Sequence, residues 1–248
     1  MTLPSFSASA SGGNVGWPPT FRWARALAAG WLGAFDVAVV VRGADRLAEI
    51  APGAVVVVQG GGLLEGLVLA ASLPRPVRFI LPAACFRWPL LGRALRRMGH
   101  LPFEPGRDGR TLIRQGRALF RTGDHVGVFC PEVAAVADTA GLQYAARLAW
   151  RARCPIVPIA LFGLAEILPS AHRIPRVGTV RVRIGDPFRG SGEATDGRPG
   201  VAIRRLAEEI RQRLLALADP LRESPPEQAQ SAGTGSEGLA RSGETPAL

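Results

Sequence analysis

There is no lysine in this chain: all 30 basic residues are arginine, set against 20 acidic ones. That absence excludes Schiff-base chemistry, a Walker-type phosphate lysine and a Ser–Lys dyad. It leaves permanent cations suited to phosphate and carboxylate groups, although a GC-rich coding sequence produces the same bias. Cysteine is nearly as scarce. Cys85, Cys130 and Cys154 stand far apart with no CxxC spacing, so neither a disulfide framework nor a metal site is expected. Cys130 and Cys154 lie in apolar contexts and read as small core residues. Long apolar runs are also missing. Residues 54–73 are mostly apolar, but Gln59, three glycines and Glu65 interrupt them, which marks a strand, a turn and a helix in place of a membrane span. The cysteine pattern makes a reducing compartment the expectation, and the start, MTLPSFSASASGG, reads as lacking the basic n-region and apolar core of a secretory signal.

The 248 residues, 47% hydrophobic and 20% charged, suit one sizeable globular domain. The net charge of +10 is unevenly placed, because the segment from Arg222 onward holds two Arg against four Glu. The first 16 residues are small and polar and read as flexible. Pro18 and Pro19 then introduce an amphipathic helix over 20–34, with Phe21, Trp23, Leu27, Trp31 and Leu32 against Arg22 and Arg25. Such a helix either packs on its own domain or lies at a membrane interface, and the sequence leaves both open. Strands are predicted at 36–42, 54–58, 77–81, 101–104, 125–130, 156–161 and 179–184, and helices at 62–72, 89–98, 109–121, 139–153 and 200–217. This alternation predicts a single α/β domain over 17–219 with a central sheet flanked by helices. Residues 220–248, polar and rich in Ser, Gly and Glu, read as a disordered tail.

The most informative segment is 55–66, VVVVQGGGLLEG: a buried strand delivering the chain to a glycine turn and a helix. A dinucleotide reading fails there, because Glu65 stands at the third glycine of GxGxxG, where a pyrophosphate must approach. The acidic ribose contact expected about 20 residues on is missing too. No G-x-S-x-G elbow, H-E-x-x-H or P-loop is present.

Six pieces in order resemble the PlsC-like glycerophospholipid acyltransferases. A valine strand ends in Gln59-Gly60 with Glu65 at the spacing of that family's N-H-x-x-x-x-D motif. Met98-Gly99-His100-Leu101-Pro102-Phe103-Glu104-Pro105 stands at its arginine-bearing segment, with Pro105 at the arginine. Cys130-Pro131-Glu132-Val133-Ala134-Ala135 stands at its F-P-E-G-T-R block. A helix with Tyr144-Ala145-Ala146-Arg147-Leu148-Ala149, the strand with Val157-Pro158-Ile159, and Gly185-Asp186-Pro187-Phe188 complete the series. The resemblance covers about residues 20–215. It implies a single domain with a central mixed sheet, and transfer of an acyl chain from a thioester, acyl-CoA or acyl carrier protein, to a lysophospholipid or related hydroxyl acceptor. No permanently bound cofactor is implied.

The departures bear on the chemistry. Gly60 stands where the resemblance implies the histidine base, and losing a general base costs about 10²–10⁴ in rate. Glu65 keeps a carboxylate at the orienting position, and acts as a base only with a pKa raised by burial and sufficient reach. His100 is a candidate substitute base, while His125 and His172 read as ordinary histidines. Pro105 and Ala135 replace arginines that would hold an acceptor phosphate; Arg107 and Arg110 are near enough in sequence to compensate. Gln59, Gly60, Pro131, Glu132 and Arg107 form the expected substrate contacts. Arg93, Arg96 and Arg97 share one side of the 89–98 helix, a solvated face that also suits an anionic membrane surface.

The expectation is therefore an acyltransferase-like protein with an impaired or lost centre. It would hold acyl chains or lysolipids while peripheral on the inner face of the plasma membrane, on the cytoplasmic side. An active transferase using an unusual hydroxyl acceptor is the alternative. A nucleic-acid-binding domain is the remaining one, disfavoured because the arginines are scattered and no aromatic stripe accompanies them.

Overall fold

The computed structural model describes residues 17–104, 109–131, 140–168, 176–190 and 199–218. In chain order these form α1 (Pro19–Ala34), β1 (Val37–Arg42), α2 (Ala44–Ala48), β2 (Val55–Gln59), α3 (Leu63–Ser72) and β3 (Val77–Pro82). A 3-10 turn (Ala83–Arg87), α4 (Pro89–Arg97), β4 (Leu101–Phe103), α5 (Gly109–Arg121), β5 (His125–Cys130) and α6 (Ala140–Ala152) follow. The last elements are β6 (Ile156–Phe162), α7 (Leu164–Ile167), β7 (Gly178–Ile184) and α8 (Pro199–Ala218).

The seven strands make one sheet in the order β1-β7-β6-β2-β5-β3-β4. Neighbours are parallel throughout except at β6–β7, so the sheet is mixed, as expected. The C-terminal ends of β6, β2, β5, β3 and β4 therefore share one edge.

Helices cover both faces, which is why the valines of β2 are apolar without alternation and all fully buried. Val55 and Val57 point into one layer with Leu112 of α5, Leu142 and Leu148 of α6, and Ile210 and Leu214 of α8. Val56 and Val58 point into the other with Ala28 and Leu32 of α1 and Val68 and Leu69 of α3. The helix after β2 thus lies on one face and the helix after β5 on the other. Between the C-terminal ends of β2 and β5 the covering helices diverge, the position where open α/β sheets bind ligands.

All seven predicted strands and the six longer helices are present, with ends shifted by about a residue. Asp36, predicted as the first residue of a strand, sits in the preceding turn with a φ of 51°. Two short helices, α2 and α7, and the 3-10 turn were not predicted, since four or five residues carry too little periodicity. Helix α1 packs on its own domain with one side. Phe21, Ala28 and Leu32 are buried, and Arg25 donates to the Leu73 carbonyl at 3.0 Å. Its opposite side leaves Trp23 71%, Leu27 72% and Trp31 36% exposed.

Candidate functional site

Gln59 and Gly60 close β2 at the diverging edge. Gln59 is the register partner of Cys130 on β5, and the Gly60 amide donates to the Cys130 carbonyl at 3.2 Å. The next residues on both strands meet as well, because a Cβ on Gly61 would lie 3.0 Å from Pro131 Cγ. The structure therefore brings together Gln59, Gly60, Glu65 and Pro131, four of the residues singled out from sequence. Glu132 and Arg107 lie outside the described residues, as do Pro105 and His172.

The turn needs its glycines for two separate reasons. Gly60 has a φ of 118°, a conformation L side chains rarely adopt. The Glu65 side chain also bends back across the turn. A Cβ on Gly60 would stand 3.1 Å from Glu65 Cγ and 3.2 Å from its Oε1, and a Cβ on Gly62 would collide with Oε2. The carboxylate thus lies over the spot where a side chain at position 60 would begin. Glu65 is in the first turn of α3, where the positive end of the helix favours a negative charge. It makes no ion pair with any described residue.

Gln59 contributes an acceptor. Its Oε1 is buried and has no hydrogen-bond partner among the described residues. An unmet buried acceptor costs about 1–3 kcal/mol, so a donor from a ligand, such as a hydroxyl, would be favoured there. The edge accordingly holds one carboxylate, one carboxamide oxygen and the uncapped amino end of α3, whose N-cap Gly62 makes no side-chain bond. That set can accept a proton or hydrogen bond from a hydroxyl. The carboxylate opposes binding of a second anion against the helix end.

His100 is not at this edge. It precedes β4, and the register of β4 on β3 and of β3 on β5 sets it level with Phe79 and Gly127, three residues short of Cys130. Three residues of strand are about 10 Å. Its Nδ1 accepts the Phe79 amide at 2.8 Å, and its ring packs against Phe79 and Phe21, with centroids 6.1 Å away in each case. Burial, reinforced by the Arg78 guanidinium, pulls its pKa down to about 4. His100, the candidate substitute base, is therefore placed away from the site and holds the β3–β4 junction. His125 likewise accepts the Ala54 amide on Nδ1 at 3.2 Å, at the opposite end of the sheet, and burial lowers it to about 4.

Among the described residues no cluster of His, Cys, Asp or Glu can hold a metal ion. None of the three cysteines is in a disulfide, and burial pushes the Cys154 thiol up to about 11. No described helix is long and apolar enough to cross a membrane.

Comparison with known proteins follows the same lines. A family model described as Acyltransferase matches residues 38–162, from β1 to the end of β6, so it includes both strand ends of the site. No curated protein matches. Among solved structures, the 1-acyl-sn-glycerophosphate (LPA) acyltransferase PlsC from Thermotoga maritima is similar, with a TM-score of 0.61 at 17% identity over 83% of this chain and 81% of that one. At that identity the likeness shows the fold.

Proposed function

Because this chain belongs to the acyltransferase family, we propose that it is a lysophospholipid acyltransferase-like protein that has lost the imidazole route of acyl transfer. In this reading it holds acyl chains or lysolipids at a membrane surface, on the cytoplasmic inner face. The observation that carries it is Gly60. The residue has no side chain, its φ of 118° disfavours one, and the volume beside it is filled by Glu65. Transfer to a hydroxyl requires that a base take the hydroxyl proton as the oxygen attacks the thioester carbonyl. The C–S bond then breaks and the leaving thiolate takes up the proton. Without an imidazole at the strand end, that first proton transfer lacks its usual acceptor. The exposed Trp23, Leu27 and Trp31 of α1 support the membrane-surface part of the reading, since aromatic rings with an apolar body suit the interface.

A second reading has a specific observation in its favour. Glu65 reaches back over Gly60, so its carboxylate stands close to where the base would act. A carboxylate there would take the hydroxyl proton directly, giving an active transferase with a different acceptor.

The experiment is release of free thiol from long-chain acyl-CoA and acyl carrier protein thioesters with a lysophospholipid panel. The natural protein is compared with E65A and with the triple variant Q59N/G60H/E65D. The expected result is no turnover by the natural protein. Turnover near that of a family member with an intact motif would sink the first reading, and its loss in E65A would establish the second. Activity gained only by the triple variant would identify a binding cleft that lacks its base.

A further inference from the structure

Two chain segments build the strand-end edge: 54–74, from β2 through α3, and 126–146, from β5 into α6. Neither contains any of the 30 arginines, although the whole chain carries a net charge of +10. What charge they do carry is acidic, namely Glu65, Glu132 and Asp138. Arginine next enters with Arg110 after β4, three places along the sheet from β2, about 14 Å at strand spacing. The Glu65 carboxylate, folded back over Gly60, has no hydrogen bond or ion pair with any described residue. On the residue before Gly60, the buried Oε1 of Gln59 is equally without a donor. Gly61 and Gly62 are exposed, so the turn between these two groups opens to solution.

A carboxylate in the first turn of a helix is ordinarily a solvated group that stabilises the helix end, and buried strands exclude arginine for want of water. Those reasons account for Glu65 alone and for the bare strands. They leave the Gln59 oxygen unmet, because a carboxylate has no proton to donate to it. Both groups at the turn are therefore acceptors, one of them charged. A phosphate monoester carries about −1.5 to −2 charges and three more acceptor oxygens, so it would meet repulsion from Glu65 and leave Gln59 unsatisfied. A neutral hydroxyl satisfies Gln59 and leaves the carboxylate uncompensated. A primary ammonium has three donors and a positive charge, and answers both.

We propose that this edge takes a single-chain lipid whose head group is a primary ammonium, held by the Glu65 carboxylate with an N–H turned to Gln59 Oε1. Glu65 is then a specificity residue that turns away a phosphate monoester. That the ligand is a lipid rests on the lipid-holding reading above. The head-group preference is a separate claim, and runs against the protein's net charge, which by itself draws anions. Under the acyl-transfer reading, the acceptor is an amine-bearing lysolipid in place of a phosphate-bearing one.

The probes share one chain length and differ in head group: dodecylamine, dodecyltrimethylammonium, monolauroylglycerol and monolauroylglycerol phosphate. Each is titrated calorimetrically onto the full-length protein below its micelle concentration, at physiological salt to screen the net charge. The natural protein is compared with E65Q and with E49Q, a control of equal charge change at an exposed residue ending α2. Thermal melts establish that both variants fold. Dodecylamine should bind saturably, at least about tenfold tighter than the phosphate, with the trimethylammonium, a cation without an N–H, between them. E65Q should weaken dodecylamine at least about tenfold and leave monolauroylglycerol within about twofold, while E49Q leaves all four within about twofold. The proposal alone is overturned if the natural protein binds the phosphate as tightly as the amine, or if E65Q weakens dodecylamine no more than E49Q does. If none of the four binds, the lipid-holding reading fails and the proposal falls with it.

Discussion

Two histidines in this protein are acceptors for backbone amides, His100 for Phe79 and His125 for Ala54, and burial holds both neutral with pKa values of about 4. An unfolded histidine titrates near its ordinary value of about 6.5. Below that pH the unfolded chain binds protons that the folded chain refuses, so stability is full above about pH 6.5 and is lost as pH falls. Between pH 7 and 5 each histidine should cost about 2 kcal/mol, before most carboxylates begin to titrate. Urea unfolding at several pH values checks this. His125→Asn, which offers an amide oxygen in place of Nδ1 and does not titrate, should remove about half of the slope. A slope unchanged by that substitution would mean that His125 is accessible to protons in the folded state. The role of His100 was not legible in the sequence, because closeness to a motif along the chain does not say at which end of a strand a residue lies. Glu65 was legible as a helix-start carboxylate. Its fold-back over Gly60 depends on a φ of 118° that no residue pattern announces.

At the scale of the elements, most strands were legible because they are rich in Val and Ile and bounded by Gly, Pro or Asp, although β4, Leu-Pro-Phe, holds neither. What joins them sideways was not. Gly127 on β5 shows why. It lies beneath the Phe79 ring, where a Cβ would strike Cδ1 and Cε1, and that ring stacks on Phe129 with centroids 4.9 Å apart. A glycine in a buried strand weakens it locally, and here the vacancy seats an aromatic from the neighbouring strand. Gly127→Val should destabilise the protein by about 1–3 kcal/mol. Adding Phe79→Leu should recover part of that loss, read as a non-additive pair in chemical denaturation. Strict additivity would show that Phe79 does not need the space. Arg110, Arg114, Arg117 and Arg121 stand at helical spacing in the sequence, as do the arginines of the 89–98 helix. There Arg96 donates to the Phe86 carbonyl at 2.9 Å, which ties down one of the three charges read as a solvated face.

Across the whole molecule, strand order was the least legible feature, since local pattern is silent on whether β5 enters between β2 and β3. That insertion is what sends α3 to one face and α5 and α6 to the other. It thereby separates the bare apolar stripe of α1 from the arginines of α5, with the site on the edge between them. The separation makes the two surfaces independently testable. Burying tryptophan surface contributes about 1.5–3 kcal/mol per large side chain when complete. W23S/W31S should therefore lower partition onto phosphatidylglycerol-containing vesicles at least about tenfold in a sedimentation assay. The R114E/R117E pair lies on the far side of the sheet from that contact. At physiological salt, where charges are screened over about 8 Å, it should change partition less than about twofold. If instead the arginine pair governs vesicle binding and the tryptophans do not, lipid meets the α5–α6 face, and the membrane orientation drawn from the tryptophans fails.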